Sequence, residues 1–251
     1  MIALVRAEWT KLFTTKVWLG LLLGACVIVG GFAALLTAFA GNPDSGLPGV
    51  GTAQFEEVAL SQGTNATVLA LILGIIGMTQ EYRHRTATPT FLATPRRWRV
   101  VVAKLLAYAL AAVPFALVVL AVNVLVVGVY AGSRGAAPSL TGHNLEVLLT
   151  SGLALLIYAL IGVGIGALLR NQVGAIVGGL VYLFVVEPVI RSIPATSGAY
   201  KWMPGGGLEA MTATFEGPDL LDAWQGGFLL LGYGLLAALL GTLLAVRRDV
   251  V

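Results

Sequence analysis

The sequence predicts an all-α polytopic membrane protein with six transmembrane helices, an amphipathic N-terminal interfacial helix and a re-entrant outer helical hairpin before the last span. Three observations carry that prediction. Hydrophobic residues make up 58% of the 251 positions and charged residues 11%, with a mean hydropathy of +0.91, whereas a soluble domain carries about a quarter charged residues. Windows of about 20 residues, the length that crosses a bilayer core, give spans at 17–39, 61–79, 105–130, 147–169, 173–189 and 228–246. Finally, twelve of the 15 Lys and Arg residues gather on one side of those spans, which by the positive-inside rule places both termini in the cytoplasm. The whole chain, 1–251, reads as a single transmembrane domain.

The elements follow in order. Residues 1–16 place Ile2, Val5, Trp9, Leu12 and Phe13 at helical spacing, with Arg6, Glu8, Lys11 and Thr15 on the rest of the wheel. This suits a helix lying in the interface, apolar stripe against acyl chains and charge among headgroups; the other reading is an inside anchor continuous with the first span. That span is too long for a removable signal peptide, and its Cys26 reads as a small packing residue. An outer loop over 40–60 holds Asp44, Glu56 and Glu57 and no basic residue. Arg170, Asn171 and Gln172 form the polar core of a tight cytoplasmic hairpin between the fourth and fifth spans. Residues 190–225 mix polar and apolar positions, with Pro204 and Gly205 to Gly207 as a break. They read as two short outer helices separated by the glycine run, packed against the spans because irregular backbone at that depth needs protein around it.

Most chemistry is excluded by the residues present. None of the four lysines, Lys11, Lys16, Lys104 and Lys201, has a glycine-rich phosphate cradle, so the chain is expected to bind no nucleotide of its own. His84 and His143 fall on opposite sides of the membrane and cannot share a metal. No serine has the strand-turn-helix setting of a nucleophile elbow. The net charge of +3 is juxtamembrane rather than a basic groove, which argues against nucleic acid. Arg outnumbering Lys in an Ala-, Val-, Leu- and Gly-rich chain hints at a bacterial plasma membrane. Polar groups inside spans are candidates for lining a substrate path: Asn65, Thr67, Asn123 and Glu187. Interhelical hydrogen bonding is the alternative for the first three, and an ion pair with Arg191 the alternative for Glu187. Gly20 with Gly24, and Gly174 with Gly178, have the spacing of close helix contacts, and Pro114 is expected to kink the third span.

The richest polar segment is the cytoplasmic loop over 80–99. Its Thr88-Pro89 and Thr94-Pro95 pairs match the cap-then-proline signature of helix starts. The first is expected to open a very short helix carrying Phe91 and Leu92, the second to open the third span. On such an elbow Phe91 and Leu92 have no core of their own, and exposed apolar knobs ringed by charge imply a protein partner; the alternative is that they fold back on the membrane surface.

The stretch from Glu81 to Lys104 resembles the loop between the second and third spans of permease subunits of the type-2 ATP-binding cassette transporter family. That loop reads Glu, aromatic, Arg, then Thr, an apolar pair, Pro, basic residues and Lys; here these are Glu81, Tyr82, Arg83, Thr86, Phe91 with Leu92, Pro95, Arg96 with Arg97, and Lys104. The family commonly has Gly before that Thr, where this chain has Arg85. Arg6, Glu8, Lys11, Leu12, Thr15 and Trp18 resemble the family's amphipathic first helix, and the six-span layout matches over the chain. The resemblance implies that two permease subunits, alike or different, pair around a central path in the lipid bilayer. Each would engage a separate ATPase subunit, which carries the ATP and Mg, through the N-terminal helix (Arg6, Glu8, Trp9, Lys11) and the loop helix. The expected function is then an ATP-driven exporter's permease, not an enzyme, from a family whose members mostly export drugs, lipids, polysaccharides or peptides. Two other classes are weighed beside it. A non-transporting scaffold subunit would not need apolar knobs on the loop. A channel or ion-coupled carrier would place more charge at mid-membrane or show inverted repeats.

Overall fold

A computed structural model describes residues 1–194, 196–212 and 220–246. Arg247 and Arg248, both counted in the basic asymmetry, and part of the expected outer hairpin, including Phe215, lie outside the described residues. The chain is helical, without strands among the described residues. Six helices there are long and apolar enough to cross a membrane: Val17–Phe39, Ala53–Arg83, Trp98–Ser133, His143–Leu169, Gln172–Ser192 and Ala223–Leu243.

At the basic end, α1 (Ile2–Thr14) leads through a two-residue break into α2 (Val17–Phe39). The second span starts earlier than the hydropathy suggests. Thr52 caps α3 (Ala53–Leu60) by accepting the Phe55 amide, and Phe55, Ala59 and Leu60 are buried. Glu56 and Glu57 made this stretch look like loop, but both are partly buried within the helix, Glu56 held by Asn144 and Ser139. A 3₁₀ segment (Ser61–Ala66) joins α3 to α4 (Thr67–Arg83). The carbonyls loosened at the junction are collected from the third span: Asn123 Nδ2, wholly buried, donates to Leu60 O at 2.7 Å and to Ala59 O at 3.3 Å. Its role in the structure is a clamp, since an unpaired backbone carbonyl at that depth is costly.

The short α5 (Ala87–Ala93) and the long α6 (Trp98–Ser133) follow, α6 running through Pro114. Both starts differ from the Thr-Pro reading. Thr86, not Thr88, is the residue before α5, and Pro89 takes the third helical position, still within the first turn where no amide partner is lost. α6 begins after Arg97 rather than at Pro95, because Thr94 is extended and Pro95–Arg97 form a turn. Next come α7 (His143–Leu169) and α8 (Gln172–Val181), joined by the expected tight hairpin: Arg170 is left-handed (φ 51°) and Asn171 caps α8 through the Gly174 amide at 3.0 Å. A π-turn (Tyr182–Val186) leads into α9 (Glu187–Ser192). A 3₁₀ turn (Ser197–Trp202), α10 (Pro204–Thr212), α11 (Ala223–Leu240) and a π-helical turn (Gly241–Val246) complete the described chain, with Asp222 and Gln225 forming a capping box on α11.

The core is built on α4 and α7, the most enclosed of the long helices, while α2 and the α8–α9 span lie at the periphery. The two central helices approach so closely that a Cβ at Gly74 would lie 1.9 Å from Ala159 O, and one at Gly162 2.1 Å from Leu71 O. The crossing therefore requires glycine at both positions. The small-residue pairs that stood out by spacing are elsewhere: Gly20 and Gly178 meet nothing. The Gly205–Gly207 run is likewise not a break. It forms the first turn of α10, where a Cβ on Gly206 would strike Tyr200 O at 2.1 Å.

Candidate functional site: the basic-end cluster and the loop helix

Four charged side chains from three helices meet beneath α5. Lys104, on α6, is fully buried; its ammonium donates to Glu8 Oε2 at 2.6 Å and to the Gly77 carbonyl at 3.0 Å, and lies 3.6 Å from Glu81 Oε1. Lys11 donates to Glu8 Oε1 and to Glu81 Oε1, each at 2.6 Å. Two carboxylates thus face two ammonium groups, α1 supplying Glu8 and Lys11, α4 Glu81 and α6 Lys104. Partial burial works against the Lys11 charge, but the hydrogen bonds and charges of Glu8 and Glu81 outweigh it and its pKa is raised above the usual lysine value. The amphipathic reading of α1 put Glu8 on the polar side of the wheel, away from the apolar stripe. The structure turns it inward: Glu8 and Leu12 are the buried residues of this helix, Ile2 is largely exposed, and Trp9 and Phe13 are partly exposed and stack at 4.7 Å. A carboxylate recruits burial when two cations wait for it.

The loop helix is fastened to this cluster. Thr90 donates to Glu81 Oε1 at 3.3 Å, and the Thr86 amide donates to Glu81 O at 2.8 Å. The turn between α4 and α5 is made by Arg85 with φ 57°. That left-handed conformation is the one glycine adopts without cost, which explains physically why glycine suits this place. Phe91 and Leu92 part company. Phe91 is buried, 7% exposed, with the Arg97 guanidinium 5.1 Å from its ring centre, whereas Leu92 is 77% exposed. The expected pair of knobs is therefore one knob and one anchor, because successive residues on a helix point about 100° apart and need not share a face. Arg83, Thr86, Pro95 and Arg96 are exposed around α5, and Arg6 is exposed on α1. Lys104, the centre of the cluster, stood in the sequence only as the last residue of a basic run; an invariant-looking hydropathy trace hides a single lysine two turns inside an apolar helix.

At the opposite end, Thr67 and Glu187 line one cavity of about 320 Å³ with Thr64, Tyr158, Tyr200 and Gly205. Asn65 lies outside it, donating to Gln62 O and Oε1, and Asn123 is committed to its clamp. Glu187 does not pair with Arg191 as the i, i+4 spacing allowed. Arg191 bridges Glu209 at 3.0 Å and packs on the Tyr200 ring at 4.9 Å, while Glu187 Oε1 accepts the Gly205 amide at 3.0 Å. A separate, wider cavity of about 1290 Å³ is lined by Glu56, Glu57, Gln62 and His143; Glu56 there is held by Asn144 and Ser139. Among the described residues no cluster of His, Cys, Asp and Glu has the makings of a metal site.

These features meet an independent comparison. The sequence model of the family described as "ABC-2 family transporter protein" matches residues 4–186, which takes in most of α1, the basic-end cluster, α5, the first four long helices and the larger part of the fifth. No curated protein matches the chain. With most of its length matched and six helices able to span a membrane, the chain belongs to the ABC-2 family of transporter proteins, as a membrane permease component rather than the nucleotide-binding subunit.

Proposed function

We propose that this permease couples to a separate ATP-binding cassette subunit through α1 and α5 and works as an exporter in the plasma membrane, both termini in the cytoplasm. One observation carries the reading: Glu81 Oε1 is shared by Lys11 of α1 and Thr90 of α5, with Lys104 of α6 beside it. A push on α5 thereby reaches the N-terminal helix and two spans through short polar contacts in a low-dielectric setting, where such networks are stiff. Leu92, with Arg83, Arg96 and Thr86 around it, is the apolar contact offered to the ATPase, which supplies ATP and Mg. Phe91 and Arg97 fix the helix that presents it. The exposed apolar face of the fifth span, with Val173, Val177 and Phe184, suits lipid and the second permease subunit, alike or different. Thr67 and Glu187, sharing a cavity beside the central helices, line the substrate route.

The test is reconstitution. The purified chain alone should neither bind nor hydrolyse ATP. Proteoliposomes holding it with its ATPase subunit should hydrolyse ATP and move substrate away from the ATPase side. Hydrolysis by the pure chain, or movement toward the ATPase side, contradicts the reading.

A further inference from the structure

The Glu187 cavity carries more than a place on a route. The π-turn over Tyr182–Val186 adds a residue to the helical period and rotates Glu187 into the bundle: Glu187 is 4% exposed, while Phe184, Val185 and Val189 face outward. Gly205 closes in from α10, where a Cβ would lie 2.3 Å from Glu187 Oε2. Counting from Gln172 at the start of α8, the carboxylate stands about 22 Å along the helix, within a hydrocarbon layer of about 30 Å.

No cation stands beside it. The arginine in the cavity, Arg191, is committed to Glu209, and among the described residues no Lys or Arg lies within ion-pair distance of Glu187. A neutral donor, the Gly205 amide, holds the carboxylate, in contrast to the paired carboxylates of the basic end. A buried carboxylate without a cation is costly in a membrane unless it takes up a proton or a ligand supplies the opposite charge. The walls suit such a ligand. Tyr158 has its hydroxyl tied to Pro204 O at 3.2 Å, which fixes its ring beside the acid, and Val68, Leu183 and Leu208 give an apolar flank. A volume of about 320 Å³ is at the lower end of small-molecule sites, roughly 300–1,000 Å³.

We propose that this cavity is a subsite for an amphipathic monocation, a protonated amine or quaternary ammonium, with the cationic head on Glu187 and the apolar body along Leu183 and Leu208. Aromatic rings beside a carboxylate favour such heads, and Glu187 disfavours anions, since the Arg191 charge is already taken by Glu209. The inference rests on reading Thr67 and Glu187 as lining the substrate route, and its test uses neither the ATPase nor transport.

The full chain in nanodiscs of zwitterionic lipid is titrated with benzyltrimethylammonium and followed by saturation-transfer NMR, with benzenesulfonate as the anionic comparison. Saturable binding of the cation and none of the anion is expected. Glu187→Gln, which keeps the acceptor for Gly205, should weaken the cation at least tenfold. Thr67→Lys, which places a competing ammonium in the cavity, should do the same with Glu187 intact. Glu56→Gln in the other cavity should bind as wild type does. No saturable binding by wild type, or undiminished binding by the Glu187→Gln or Thr67→Lys protein, overturns the proposal. A chain that binds the cation but does not export it with its ATPase refutes the route and leaves the subsite standing.

Discussion

The two ends of this permease treat buried charge in opposite ways. At the basic end, Glu8 and Glu81 are matched by Lys11 and Lys104, with every contact between 2.6 and 3.6 Å. At the other end Glu187 is buried just as deeply and receives only neutral donors. A closed set of charges is a joint: it loses much if one member goes, and has nothing left over for a ligand. An open charge is a poor joint and a good recognition element. On the function proposed above, the difference separates the part of the molecule that transmits motion from the part that meets cargo.

The largest effect should come from breaking the joint. Lys104→Met leaves Glu8 and Glu81 facing a single half-exposed ammonium, and a broken buried pair costs about 3–5 kcal/mol. Thermal unfolding in detergent should show that loss, and adding Glu8→Gln should recover part of it, since residues in one network are not additive. Phe91→Ala should cost about 3 kcal/mol, at the low end for a buried aromatic because the ring lies at the protein's edge, and it should also release α5 to proteolysis. Glu187→Gln should move stability by less than about 1 kcal/mol, as an isosteric change that removes an unanswered charge. A loss as large as that of Lys104→Met would mean that the two ends are joints alike. Smallest of all, Arg85→Gly should stabilise the loop by no more than about 1 kcal/mol: relief of the left-handed strain is offset by the greater backbone freedom of glycine when unfolded.

Much of this was legible in the sequence because hydropathy and charge asymmetry report the solvent, and the solvent dictates helices. The six spans and the hairpin at Arg170 and Asn171 followed from that alone. What escaped depends on rotation about a helix axis or on meetings between distant segments. Glu8 carries no mark of facing inward until Lys104, 96 positions later, is placed beside it. Phe91 and Leu92 are indistinguishable by composition, and only Arg97 and the packing of α5 decide which one is anchor. The start of the second span was missed because Glu56 and Glu57 interrupt the hydropathy of a helix whose other face is buried. Gly74 and Gly162 are two among 32 glycines, and nothing local sets them apart from Gly20 or Gly178. The turn of Glu187 into the bundle depends on a π-turn that no residue in Tyr182–Val186 announces.

The central claim is that α5, braced by the Glu81 cluster, presents Leu92 to the ATPase. It is tested most directly by Leu92→Ala in the complete transporter, measuring ATPase retention on co-purification together with substrate-stimulated hydrolysis. Leu92 is exposed in the isolated chain, so thermal stability should be unchanged, whereas burying that side chain in a partner is worth about 2 kcal/mol and its loss should weaken assembly or coupling by roughly tenfold or more. Unchanged retention and unchanged stimulation would show that α5 is a solvated connection and that the cluster beneath it serves only the fold.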